Sequence, residues 1–150
     1  MSTTVIVAAM GLLATLLGAW LGAFWQHRNT RDLQLLDARI RVYGECAASL
    51  YEFERVTYSR VKARLENLPD AEREPLRQEA YRNRSAVRAA IGQLSVLSAG
   101  SEIPTKFEAI RRAIGDLNDA ESHEDLKQRH DEIYVDLDRV LVQARADLVR

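Results

Sequence analysis

A chain of 150 residues has room for one compact domain plus an appendage. With 21 basic and 22 acidic side chains the net charge is −1, so there is none of the positive excess that draws a protein to nucleic acid. The single cysteine, Cys46, excludes an intramolecular disulfide, which suits a reducing compartment.

Charge is unevenly placed. Residues 1–27 contain no Asp, Glu, Lys or Arg, and Val5 to Trp25 is an unbroken run of 21 uncharged residues. As a helix that run would extend about 31 Å at about 1.5 Å per residue, against a hydrocarbon thickness of about 30 Å. A cleaved export signal would carry a basic start, a shorter apolar core and a small-residue cleavage site. Met1-Ser2-Thr3-Thr4 has no basic side chain, and the run ends in Phe24-Trp25. The expectation is a retained single-pass anchor over residues 1–26. His27, Arg28 and Arg31 follow the span and no Lys or Arg precedes it, so the positive-inside bias predicts an outside N-terminus. Residues 27–150 then lie in the cytoplasm, at the inner face of a cytoplasmic membrane. Trp20, Trp25, Arg28 and Arg31 are the expected membrane-interface anchors.

Within the span Ala8, Gly11, Thr15, Gly18 and Gly22 recur at spacings of three and four, which places them on one helix face. Close backbone approach drives helix association in lipid, so Gly11, Thr15, Gly18 and Gly22 are candidate self-association residues. The alternative is that Gly and Ala are simply common in spans.

After the span, Leu33, Leu36, Ile40, Tyr43, Ala47, Leu50 and Phe53 follow helical spacing, and Val61 and Leu65 continue it less regularly. The pattern predicts a first helix over about 27–66, stopped at Asn67-Leu68-Pro69-Asp70. A second is expected over about 70–98, with Leu76, Ala80, Val87, Ile91 and Leu94 inward and Ala99-Gly100 at its end. A third, about 102–118, carries Ile103, Phe107, Ile110, Ile114 and Leu117, with Ser101 as cap and Pro104 in the first turn. The fourth, about 121–149, holds Leu126, Ile133, Leu137, Val140, Leu141, Ala144 and Leu148. No window shows the period-2 alternation of a strand. The predicted class is all-α: an N-terminal transmembrane helix followed by an antiparallel bundle of about four helices. Helix one is longer than helix three can cover, so its first turns read as a stalk or as a surface for another copy.

Chemistry is sparse. The Glu-x-x-His pairs of a di-iron bundle are missing, because Phe24, Ala120 and Lys127 stand three residues before His27, His123 and His130. His123 and His130, in the polar stretch "ESHEDLKQRHDE", read as solvated surface rather than as metal ligands. Cys46 lies between Tyr43 and Leu50 and reads as a small core residue. Tyr43, Tyr51 and Tyr58 share roughly one face and read as a bundle wall with hydroxyls reaching water. Gly44, Gly92 and Gly115, each inside a helix, suggest close helix crossings, though single glycines are also tolerated. Arg111-Arg112 and Arg82, Arg84 and Arg88 read as solvated faces, though helix two, with the latter three, could touch anionic lipid if it lies near the membrane.

In layout, the chain resembles a loose group of uncharacterised bacterial single-span membrane proteins with a small helical cytoplasmic domain. The residues behind the likeness are Arg39-Ile40-Arg41-Val42-Tyr43, "LSVLSAGSEIPTKFEAI" at 94–110 and the ending "VLVQARADLVR". The resemblance implies the same architecture and passes on no activity. The expected function is that of a membrane-anchored interaction, scaffold or regulatory protein, not an enzyme, with prophage or defence roles among those that fit its shape. The alternative is an oligomeric pore-forming or membrane-perturbing effector. Membrane lipid and either further copies or a membrane protein are the expected partners. No catalytic, cofactor or metal residue, no nucleic acid and no small-molecule substrate is expected.

Overall fold

The computed structural model describes the backbone of residues 2–98 and 100–148, and the side chains of residues 30, 33–98 and 100–148. Helix α1 runs Ser2–Leu65, α2 Asp70–Leu97, α3 Ile103–Asp116 and α4 His123–Leu148, with a 3-10 turn at Leu117–Asp119. Among the described residues there is no strand, so the chain is all-α as the hydrophobic periodicity requires. Two compact units divide it, Met1–Asp37 and Ala38–Arg150. Among the described residues no helix is long and apolar enough to cross a membrane. The run Val5 to Trp25, with Gly11, Thr15, Gly18, Gly22, Trp20 and Trp25, lies outside the described side chains, as do Arg28 and Arg31.

The first unit consists of the opening part of α1, where Leu33 and Leu35 are 59% and 47% exposed. In the second unit the rest of α1 packs with α2, α3 and α4 around one core. Cys46, Leu50, Val87, Leu94, Phe107, Ile114, Leu117 and Leu126 are fully buried in it. The α3 stripe is buried at every position the spacing predicts. Of the α1 stripe Tyr43, Leu50, Phe53 and Val61 are buried, Ala47 and Leu65 are half-buried, and Ile40 remains 51% exposed. Leu33 and Ile40 lie on the first turns of the helix expected over about 27–66, the stretch expected to serve as a stalk or as a surface for another copy.

Helix ends differ from the expected ones for local reasons. Asn67, at φ 55°, takes the left-handed conformation that closes α1, and the Leu68 amide bonds to the Ala63 carbonyl at 3.0 Å. Gly100, at φ 86°, turns the chain between α2 and α3. Helix α3 starts one residue later than expected, yet Ser101 still accepts the Ile103 amide at 3.2 Å, and Pro104 sits in the first turn. It also ends earlier, because Asn118 Nδ2 donates to the Gly115 carbonyl at 2.6 Å where the chain tightens into the 3-10 turn.

Helix α4 begins at His123, and its cap is Ser122. The Asp125 amide donates to Ser122 Oγ at 3.1 Å, while Asp125 Oδ2 accepts the Glu121 amide at 3.1 Å. This is a close relative of the reciprocal capping box. Ser122→Ala is expected to cost about 1 kcal/mol, read as a lower urea midpoint with an unchanged slope.

Gly44, Gly92 and Gly115 mark no close crossings. A Cβ built at any of them meets nothing within 4 Å.

Candidate functional site

The second unit joins α1 to α4 by a polar seam. At one end Tyr43, buried on α1, donates from its hydroxyl to Asp147 Oδ2 at 2.8 Å. Arg39 Nη2 reaches the same oxygen at 3.0 Å, and Ser98 at the end of α2 donates to the Tyr43 hydroxyl at 3.4 Å. Two turns further along, Tyr51 donates to Asp138 Oδ1 at 3.3 Å. Then comes the most enclosed member. Glu54, its side chain 2% exposed, lies 2.6 Å from His130 Nδ1. The His130 ring is flanked by Tyr58 at 4.9 Å and Tyr134 at 4.6 Å between centroids.

A carboxylate this deeply buried requires a hydrogen-bonding partner, because an unpaired one would be strongly penalised. His130 and the Tyr134 hydroxyl supply partners, so the reading of His130 as solvated surface is corrected. The three tyrosines of α1 do line one wall, but their hydroxyls do not simply face water: those of Tyr43 and Tyr51 point to carboxylates on α4. Burial, then the Glu54 charge and the hydrogen bond to it, raise the Tyr134 phenol above the usual tyrosine range. Burial, followed by the charge and hydrogen bond of Asp138, does the same for Tyr51.

Cys46 is fully enclosed, and burial pushes its thiol up to about 12. At pH 8 the thiolate is then about one part in ten thousand, and a protonated thiol is no nucleophile. Alkylation by iodoacetamide at pH 8 is expected only on unfolding. Labelling of the native protein at the rate of a free thiol would contradict the core placement. The linkage has a definite sign. Cys46, Tyr51 and Tyr134 hold their protons more tightly when folded, so their contribution is complete below about pH 9 and erodes as pH rises toward 12. The expected signature is a falling melting temperature on the alkaline side.

A second feature lies where α1, α2 and α3 meet. Arg60, Arg84, Arg111 and Arg112 surround a cleft of about 250 Å³ whose floor includes the buried Phe53 and Thr57. Glu108 binds Arg111 through two contacts, Nε–Oε2 at 2.8 Å and Nη2–Oε1 at 2.6 Å. That fork holds the Glu108 carboxyl below its usual range and raises the Arg111 guanidinium. Sequence inspection grouped Arg111-Arg112 and Arg84 as separate solvated faces and did not name Arg60. The fold brings Arg60 to them from another helix. Among the described residues no group of three or more His, Cys, Asp or Glu could hold a metal ion.

Neither the seam nor the cleft carries a nucleophile beside a base. A family profile described as KilB plasmid transfer protein matches residues 40–148, a range that lies within the second unit. Protein KilB of Streptomyces lividans is 33% identical over 98 residues, which covers 63% of this chain and 65% of that protein. No solved structure matches the chain. The match supports the likeness to a bacterial family, while the single span of that likeness falls on residues outside the described side chains. With well over half of its length matched, the chain belongs to the KilB plasmid transfer protein family.

Proposed function

We propose that this chain is a membrane-anchored, non-catalytic accessory of plasmid transfer, whose helical second unit binds a protein partner or further copies of itself. The observation that carries the reading is the family match over residues 40–148. The uncharged run from Val5 to Trp25, followed by Arg28 and Arg31, supports a single span with the second unit on the cytoplasmic side. Gly11, Thr15, Gly18 and Gly22 support association of spans through one smooth face.

The test begins with a transmissible plasmid lacking the gene for this chain. Transfer or spread is expected to drop, to be restored by the full chain, and not to be restored by a Leu13→Arg/Leu17→Arg variant that opposes insertion. Undiminished transfer without the gene would refute the accessory role. Restoration by the charged variant would refute the anchor. A reporter fused at Arg150 that is active only outside the cytoplasm would reverse the topology. Gly18→Leu/Gly22→Leu is expected to weaken self-association in a membrane assay.

The small-residue face also favours a second reading, an oligomeric pore. Dye release from vesicles containing the protein would support it, and intact vesicles at high loading would count against it.

A further inference from the structure

We propose that the cleft among α1, α2 and α3 is a binding site for a single phosphate monoester group. Three separate helices deliver its guanidinium groups: Arg60 from α1, Arg84 from α2, and Arg111 with Arg112 from α3. Arg60 and Arg84 make no ion pair among the described residues, although Glu and Asp are abundant in the chain. Arg111, its side chain only 12% exposed, is held in place by Glu108. Among the described residues Asp116 is the one acidic residue lining the cleft, and Glu108 pairs with both Arg111 and Arg112, so the charges of Arg60 and Arg84 remain in excess.

Like charges converging on one concavity repel unless an anion sits between them. Guanidinium groups arriving from several directions suit a tetrahedral oxyanion, which offers acceptors on every side, better than a flat carboxylate that one fork satisfies. At about 250 Å³ the cleft falls below the roughly 300–1,000 Å³ of sites for drug-sized ligands. It therefore takes a headgroup or a small phosphorylated molecule. Asp116 on its lining disfavours a long polyanion. Gly115 lines the same cleft with open space at its Cβ position, so a side chain added there would occupy the site.

The experiment uses the full chain in a neutral detergent, with inorganic phosphate and dihexanoyl phosphatidic acid as probes in a chloride background. Binding is read by calorimetry and by broadening of the phosphorus resonance. Two variants are compared, Arg60→Gln/Arg84→Gln, which removes charge, and Gly115→Leu, which fills the cleft without changing charge. Each is expected to weaken binding about tenfold or more, the first by removing two charge-assisted contacts and the second by occupying the cleft, with thermal unfolding confirming that both fold. Comparable affinity for the two probes identifies a free phosphate monoester as the ligand. At least tenfold tighter binding of the phosphatidic acid identifies a lipid headgroup. No saturable binding of either probe, or binding that both variants leave intact, would overturn the proposal. So would displacement by chloride at equal concentration. Tighter binding of a DNA duplex, lost in the same variants, would also overturn it and make the cleft part of a nucleic-acid surface.

Discussion

His130→Ala is expected to cost about 2–3 kcal/mol of folding stability, the scale seen when a buried polar group loses its hydrogen-bond partner. The reason lies on the other helix. Glu54 is 1% exposed, and its Oε1 lies 2.6 Å from His130 Nδ1. Alanine leaves that carboxylate with a cavity where its partner stood, while the rings of Tyr58 and Tyr134 lose the surface they pack on. Equilibrium urea unfolding followed by circular dichroism measures the loss. The paired replacement Glu54→Met/His130→Leu removes both polar groups together and is expected to recover most of it. A single variant within about 0.5 kcal/mol of the parent would mean that water or another group already satisfies Glu54.

Phe107→Ala is expected to cost about 3–5 kcal/mol and to lower the melting temperature by roughly 10 °C or more. Phe107 is fully buried near the middle of α3, and its ring lies 6.5 Å from that of Tyr43 at 50°. Removing it opens a cavity at the point where α3 meets α1, and it strips the packing from the tyrosine that anchors one end of the seam. Val142→Ala, at a residue 71% exposed on α4, is the matched control and is expected to stay within about 0.5 kcal/mol. Equal effects from the two substitutions would place the core elsewhere.

The parts of the bundle that were legible in advance are those built from apolar residues alone. Ile103, Phe107, Ile110, Ile114 and Leu117 repeat at three and four, and all five are buried. In α1 the stripe read as less regular after Phe53, and the structure shows why. Leu50, Glu54, Thr57 and Val61 form the inward row, with Glu54 and Thr57 in positions where a purely apolar pattern expects Leu or Val. Thr57 is tolerated because its hydroxyl donates to the Phe53 carbonyl at 2.7 Å. In α4 the row is Leu126, His130, Ile133 and Leu137, and His130 fills the gap between two buried apolar residues. A single polar residue in an apolar row reads as an interruption. Two such residues, on helices that then meet, read as a pair, and that signal was present at Glu54 and His130. The arginine cleft had no comparable signal, because Arg60, Arg84 and Arg111 are far apart in sequence and meet only through the α1–α2–α3 packing.

The α1–α4 seam has a mechanical consequence. Its members are mated in one axial alignment, Tyr43 with Asp147, Tyr51 with Asp138 and Glu54 with His130. A slip by one helical turn, about 5.4 Å, would part all three at once, so the two helices cannot ratchet past each other in small steps. Tension along α1 would load the three contacts side by side, as shear, and they would have to fail together. Tension applied at the end of α4 would peel them one after another, beginning with Asp147. The same set of bonds is therefore strong in one direction of pull and weak in the other.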